Sequence, residues 1–206
     1  LDFNPEAIPY RTCYYERNWG FCLSKRQFQQ LKDVSGPLTV FIDSAFKPDG
    51  SMMVAELLIP GKSDKEFLVS TYCCHPSMAN DNLSGLLTTT YLARDLLRVE
   101  MPQRSWRFVF VPETIGAIAY LNHNEAAMKR VLGGLVVTTC GGPGALGYKE
   151  TFLGDHLIDR AIRLAFRDRK VEPIRYLFVP DGSDERQYSS PGFRIPIASI
   201  TKEKYY

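Results

Sequence analysis

At 206 residues, with 45% hydrophobic and 23% charged content, the chain can bury one substantial core and has the composition of an ordinary folded domain. Its 25 basic and 23 acidic residues leave a formal charge of +2, which excludes the strong basic field used on nucleic acid or anionic lipid. No apolar run reaches the ~18 residues of a membrane span and no secretory leader opens the chain, so the expectation is a cytoplasmic protein with neither a nucleic-acid nor a membrane partner.

The first stretch is rich in aromatics and turn formers: Pro9-Tyr10, Tyr14-Tyr15 and Trp19-Gly20-Phe21. These aromatics either line a groove or fill a core. Ser24 stands where it would cap a helix over 25–31, with Phe28 and Leu31 on one face. A strand over 38–42, a turn at Pro48-Asp49-Gly50 and a second arm over 52–59 read as a hairpin. Residues 1–64 are therefore expected to form a small β-rich unit. From residue 66 onward, strand patterns (67–74, 106–111, 135–140, 175–179, 195–200) alternate with helical ones (83–98, 115–123, 125–132, 155–169). That alternation predicts a sheet covered by helices on both faces.

The five cysteines are Cys13, Cys22, Cys73, Cys74 and Cys140. An odd number, with Cys73-Cys74 inside an apolar run and no paired CxxC spacing, reads as reduced, buried thiols rather than a thiolate-built zinc site. The run 195–200 ends close to the last residue with no closing helix, which is the expected look of a piece of something longer.

Three predicted strands each end in chemistry-bearing residues, and strand exits are where α/β sheets collect ligands and catalytic groups. The first exit carries His75 and, six residues on, Asp81; imidazole and carboxylate are both good zinc donors, although an Asp here also suits a helix cap. The second carries Glu113, either a general base or an acid favoured in a helix's first turn. The third carries Asp181, Asp184, Glu185 and Arg186 in one loop: Asp181 or Asp184 is a candidate metal ligand, Arg186 can hold a substrate carboxylate in a two-pronged contact, and a solvated turn with local ion pairs accounts for the same residues. His123 and His156 read as surface histidines. Gly141-Gly142-Pro143-Gly144 lacks the spacing of a phosphate loop, and no G-x-S-x-G element is present.

At these residues the sequence resembles a known family. The stretch His75-Pro76-Ser77-Met78-Ala79-Asn80-Asp81-Asn82-Leu83-Ser84-Gly85 looks like that of a prokaryotic aminopeptidase-like family of formerly unknown function. Ile8-Pro9-Tyr10, Trp19-Gly20-Phe21-Cys22-Leu23-Ser24, Glu56-Leu57-Leu58-Ile59-Pro60-Gly61, Val111-Pro112-Glu113-Thr114-Ile115-Gly116 and Gly182-Ser183-Asp184-Glu185-Arg186-Gln187-Tyr188 extend the resemblance over nearly the whole chain. That family is similar to the zinc exopeptidases, including the co-catalytic zinc aminopeptidases.

The resemblance implies a three-layer α/β/α zinc-exopeptidase-like domain with a mixed central sheet over 65–206, cut short at its C-terminus, and an incomplete accessory unit over 1–64. It implies His75 and Asp81 as metal ligands, Glu113 as general base, and a peptide or amide bond as substrate, cleaved by metal-activated water. Asp184 and Arg186 are assigned to substrate binding. Three departures favour one zinc over two: Thr114 stands where the co-catalytic enzymes carry a second Glu, the 140–143 region brings no acid, and Ser183-Asp184-Glu185 replaces their Ser-Asp-His. A remaining ligand is then expected from beyond the C-terminus. The same departures support an alternative: an inactive aminopeptidase-like fold that binds peptide, glycan or protein. An oligomer is left open.

Overall fold

A computed structural model describes residues 4–9, 18–45, 47–75 and 78–202; Pro76, Ser77, Cys13 and the early tyrosines Tyr10, Tyr14 and Tyr15 lie outside them. The chain falls into two compact units, Leu1–Asp49 and Gly50–Tyr206. Among the described residues of the smaller unit the regular element is α1 (Lys25–Lys32). Its cap is reciprocal: Ser24 Oγ accepts from the Gln27 N–H (3.2 Å), and Gln27 Oε1 accepts from the Ser24 N–H (2.9 Å). Trp19 is 66% exposed, so it fills no core. Residues 38–42 form no strand.

The expected second arm of the hairpin instead joins the larger unit. It is β1 (Ala55–Ile59), paired antiparallel to β3 (Ser105–Pro112), with Ala55 opposite Phe110 and Ile59 opposite Trp106. Burial decides this: Leu57 and Ile59 pack with Trp106 and Phe108, and among the described residues of the smaller unit none belongs to a buried apolar cluster. The remaining strands are β2 (Glu66–Cys73), β4 (Val131–Val137), β5 (Leu146–Lys149), β6 (Ile174–Tyr176) and β7 (Ile197–Lys202). The seven form one mixed sheet in the order β1-β3-β2-β4-β7-β5-β6. β3, β2, β4 and β7 run parallel at its centre; β1 is antiparallel to β3, and β5 is antiparallel to β7 while parallel to β6.

Strand alternation sorts side chains between two helical layers. Leu68, Val109, Val111, Val136 and Ile197 face α3 (Ile115–His123), α4 (Glu125–Met128) and α6 (Glu185–Tyr188). Val69, Phe108 and Val137 face α2 (Gly85–Leu96), and Phe67 and Ala198 face α5 (Leu157–Asp168) on that same side. The predicted three-layer α/β/α arrangement is therefore present. Among the described residues, no helix is long and apolar enough to cross a membrane.

Several predicted elements shift: the strand expected over 175–179 is the shorter β6, and that expected over 195–200 is β7, two residues later. The helix expected over 125–132 stops at Met128, and β4 begins at Val131 rather than near residue 135. Gly134 serves close strand contact, since a Cβ there would run into the Leu68 carbonyl of β2.

His156, read as a surface residue, is the partly buried cap of α5: its Nδ1 accepts from the Ile158 N–H (3.4 Å), and Asp159 accepts from the His156 N–H (2.9 Å). Burial lowers the His156 pKa, against the opposing charge of Asp159. The cap requires a neutral ring. Its contribution, up to about 1 kcal/mol, is whole above the ordinary histidine pKa of ~6.5 and is lost as pH falls through the lowered folded value. Thermal melts at pH 8 and pH 5 should show that His156→Ser, a cap that does not titrate, loses less stability in acid than the wild type.

Candidate metal centre

Parallel register places the site. β2 and β3 lie side by side with Cys73 opposite Pro112, so both chains leave the sheet at the same edge. Cys74 and His75 follow one strand directly, and Glu113 follows the other. An irregular turn, Ala79–Ser84, then returns Asp81 to the strand end. Asp81 (φ −112°, ψ 91°) and Asn82 (φ −138°, ψ 34°) depart from helical geometry, and the peptide between them is cis.

Asn82 pins that turn. It is 2% exposed, its amide nitrogen donates to Thr71 Oγ1 (3.0 Å) and the Tyr72 carbonyl (3.2 Å), and its Oδ1 accepts from the Thr139 N–H (2.9 Å). Thr71 and Thr139 belong to or adjoin β2 and β4, so a side chain in the turn ties two strand ends together.

His75 Nε2 stands 3.4 Å from Asp81 Oδ2. Asp81 Oδ1 accepts from Tyr72 Oη (3.0 Å) and from Cys74 Sγ (3.8 Å). One ligand atom from each of Cys74, His75 and Asp81 lies within 4.8 Å of the others, and among the described residues this is the His, Cys, Asp or Glu cluster compact enough for a cation. Beside it is a cleft of about 430 Å³, lined by Cys73, His75, Met78, Leu83 and Leu86 among others.

The cysteine expectation needs a correction. Cys22, Cys73, Cys74 and Cys140 carry free thiols, as read from the sequence, but Cys73 is exposed and Cys74 is only half-buried at the site. Both lie at the strand's open end rather than in its core. Burial, with a smaller push from the Asp81 and Glu113 charges, raises the Cys74 thiol to about 12.

Glu113 is half-buried, and Ser183 Oγ donates to its Oε1 (2.8 Å). Burial raises its pKa; the Ser183 bond pulls the other way, and the Asp81 charge adds to the rise. It thus lies within electrostatic reach of Asp81 and of His75, which lowers it. Thr114, a β-branched residue at φ 61°, follows in a strained conformation that costs on the order of 1–3 kcal/mol. Its N–H donates to Asp184 Oδ1 (2.7 Å), which holds the turn in place.

Asp184 is fully buried; burial first, then the charges of Glu113 and Glu185, push it up to about 7 against the Thr114 N–H. Its Oδ2, Glu185 Oε2 and Arg186 Nε are buried without a hydrogen-bond partner among the described residues. Lys149 Nζ ties Glu185 (2.9 Å) and the exposed Asp181 (3.4 Å) to β5. His123 is exposed at the end of α3, as read from the sequence. Sequence reasoning gave no role to Tyr72 or Ser183 and read Cys74 as an inert buried thiol, whereas Asn82 suits a backbone turn by its residue type and is found holding one. For Ser183 a signal existed: it precedes Asp184 in the acidic loop already singled out.

Comparison with known proteins adds the following. Residues 8–206 match the family described as a domain of unknown function, DUF4910. A Clostridium acetobutylicum protein, named as a candidate polysaccharide-biosynthesis protein with an aminopeptidase-like domain, is 43% identical over 98% of this chain and 46% of its own length. A crystal structure of a candidate peptidase from the same organism superposes with a TM-score of 0.88 at 40% identity, over 100% of this chain and 48% of that one. A Zn-dependent exopeptidase from Parabacteroides distasonis shares the fold, with a TM-score of 0.58 at 16% identity over 74% of this chain and 64% of that one. The chain thus spans about half the length of these two Clostridium acetobutylicum proteins.

Proposed function

The chain belongs to the DUF4910 family and has an aminopeptidase-like fold, and from that premise we propose that it is the metal-bearing part of a zinc-dependent aminopeptidase-like hydrolase acting on a peptide or amide bond. The observation that carries this reading is the approach of His75 to Asp81, 3.4 Å, at a strand edge shared with Glu113. Around a tetrahedral zinc with bonds of ~2.0–2.3 Å, neighbouring ligand atoms stand roughly 3.3–3.8 Å apart, so the donors fit the ion as they lie. His75 and Asp81 would hold it, and one ion is the number proposed. Zinc supplies Lewis acidity there, polarising a carbonyl and acidifying water.

The chain's own groups do the rest. Glu113 takes a proton from the attacking water and returns it to the leaving amine. Its burial, which raises its pKa, brings its basicity closer to neutral pH, where a general base works best. Ser183 and the Asp184–Thr114 bond fix its orientation. Asp184, assigned to substrate binding, serves it in this proposal through the turn that it anchors. Arg186 keeps the assigned contact with a substrate carboxylate. The cleft beside His75, with Met78, Leu83 and Leu86, suits an apolar side chain.

A second reading, a metal-poor fold used as a binding module, draws on Thr114 and the acid-free 140–143 segment. Elemental analysis of protein purified without added metal separates the two. The hydrolase reading expects about one zinc per chain and chelator-sensitive release of amine from aminoacyl amides. A metal-free, inert protein that still binds peptide or glycan would favour the module.

A further inference from the structure

We propose that Cys74 is the third protein ligand of this centre, making it a sulfur–nitrogen–oxygen site selective for zinc-like cations over magnesium or manganese. The inference rests on the hydrolase reading for the identity of His75 and Asp81 as ligands, and adds a donor of different chemistry. Its basis is geometric. Cys74 follows β2 directly and stands two residues beyond Tyr72, so the alternation that directs Tyr72 toward the turn directs Cys74 there as well. Tyr72 and Cys74 consequently converge on the same carboxylate oxygen, Asp81 Oδ1, at 3.0 and 3.8 Å. His75 meets the other oxygen at 3.4 Å. Sulfur lies 3.8 Å from Oδ1 and nitrogen 3.4 Å from Oδ2, and one donor atom from each of the three residues lies within 4.8 Å of the others, so small side-chain rotations bring all three onto one tetrahedral ion.

The donor also answers a deficit within the chain. Thr114 and the 140–143 segment bring no acid. Among the described residues, Cys74 is the side chain that brings the set to three, the number with which catalytic zinc is commonly held by protein. A thiolate changes the selectivity: oxygen and nitrogen sets admit manganese and magnesium, whereas sulfur favours zinc, cobalt and cadmium.

Titrating the metal-free protein with cobalt(II) tests the assignment without reference to activity. A thiolate-bound cobalt gives a near-ultraviolet sulfur-to-metal charge-transfer band, expected in the wild type and absent in Cys74→Ser. Zinc affinity, measured against a chromophoric chelator, should fall in Cys74→Ser by more than the ten- to hundredfold that losing an outer supporting residue costs. Cobalt bound to the wild type without that band overturns the assignment and leaves the hydrolase reading standing. The band together with no hydrolysis of any aminoacyl amide keeps Cys74 as ligand and removes the hydrolase reading. No bound cobalt in the wild type overturns both.

Discussion

Glu113→Gln is expected to abolish hydrolysis while leaving bound zinc unchanged. Glutamine keeps the shape and can still accept from Ser183 Oγ, whose bond to Glu113 measures 2.8 Å, but it cannot take up a proton at working pH. A positioned general base contributes typically 10²–10⁴-fold, so turnover should drop by about that factor. Glu113 is not among the three clustered donors, so metal content should stay as in the wild type. Paired measurements of amine release and zinc stoichiometry read both quantities. Full turnover in this variant would discard the role, and loss of zinc would place Glu113 among the ligands instead.

Arg107→Leu should give the largest loss of stability, and it lies in the same unit's core. Arg107 on β3 is 5% exposed and faces Glu66 on β2, 2% exposed, through two bonds: Nε to Oε2 at 2.5 Å and Nη2 to Oε1 at 3.1 Å. Arg130 reaches Glu66 Oε1 at 2.9 Å, Arg107 Nη1 reaches Glu56 at 2.8 Å, and Tyr120 Oη donates to Glu56. Breaking a buried pair from one side costs about 3–5 kcal/mol, because a desolvated charge is left behind. Arg130 remains against Glu66, so the lower end, about 3 kcal/mol, is expected. At roughly 2–4 °C per kcal/mol for a domain of this size, the melting temperature should fall by about 6–12 °C.

Burial alone would raise the Glu66 pKa; the bonds from Arg107 and Arg130 outweigh it and hold the carboxyl below its ordinary value. A lowered folded pKa gives stability that is whole above the unfolded carboxylate value, ~4.3, and is lost as pH falls through the folded one. The variant should therefore lose less on acidification than the wild type does. Glu66→Leu combined with Arg107→Leu should recover much of the loss, since an apolar pair leaves no buried charge. A melting temperature unchanged in Arg107→Leu would mean that the network contributes nothing to folding.

Much of this architecture was legible in the chain. The buried strands β2 and β3 announce themselves as near-continuous apolar runs, as strands covered on both faces must. α3 begins and ends where its periodicity says, and α5 nearly so. The four-residue β5 was not legible, because so short a segment carries little pattern and takes its form from pairing with β7. β4 was misplaced because Gly133-Gly134 carries no side chain that marks a strand, and its extended form comes from close pairing with β2.

By itself, then, the sequence determined the layers and put His75, Asp81 and Glu113 at strand ends, because alternation and local turn chemistry need only nearby residues. Tertiary structure alone decided that β1 leaves its hairpin partner for the main sheet, that Cys74 turns toward Asp81, and that Ser183 reaches across seventy positions of chain to Glu113. Those outcomes depend on register between strands and on which faces can be buried together, and neither quantity is written in any one stretch of residues.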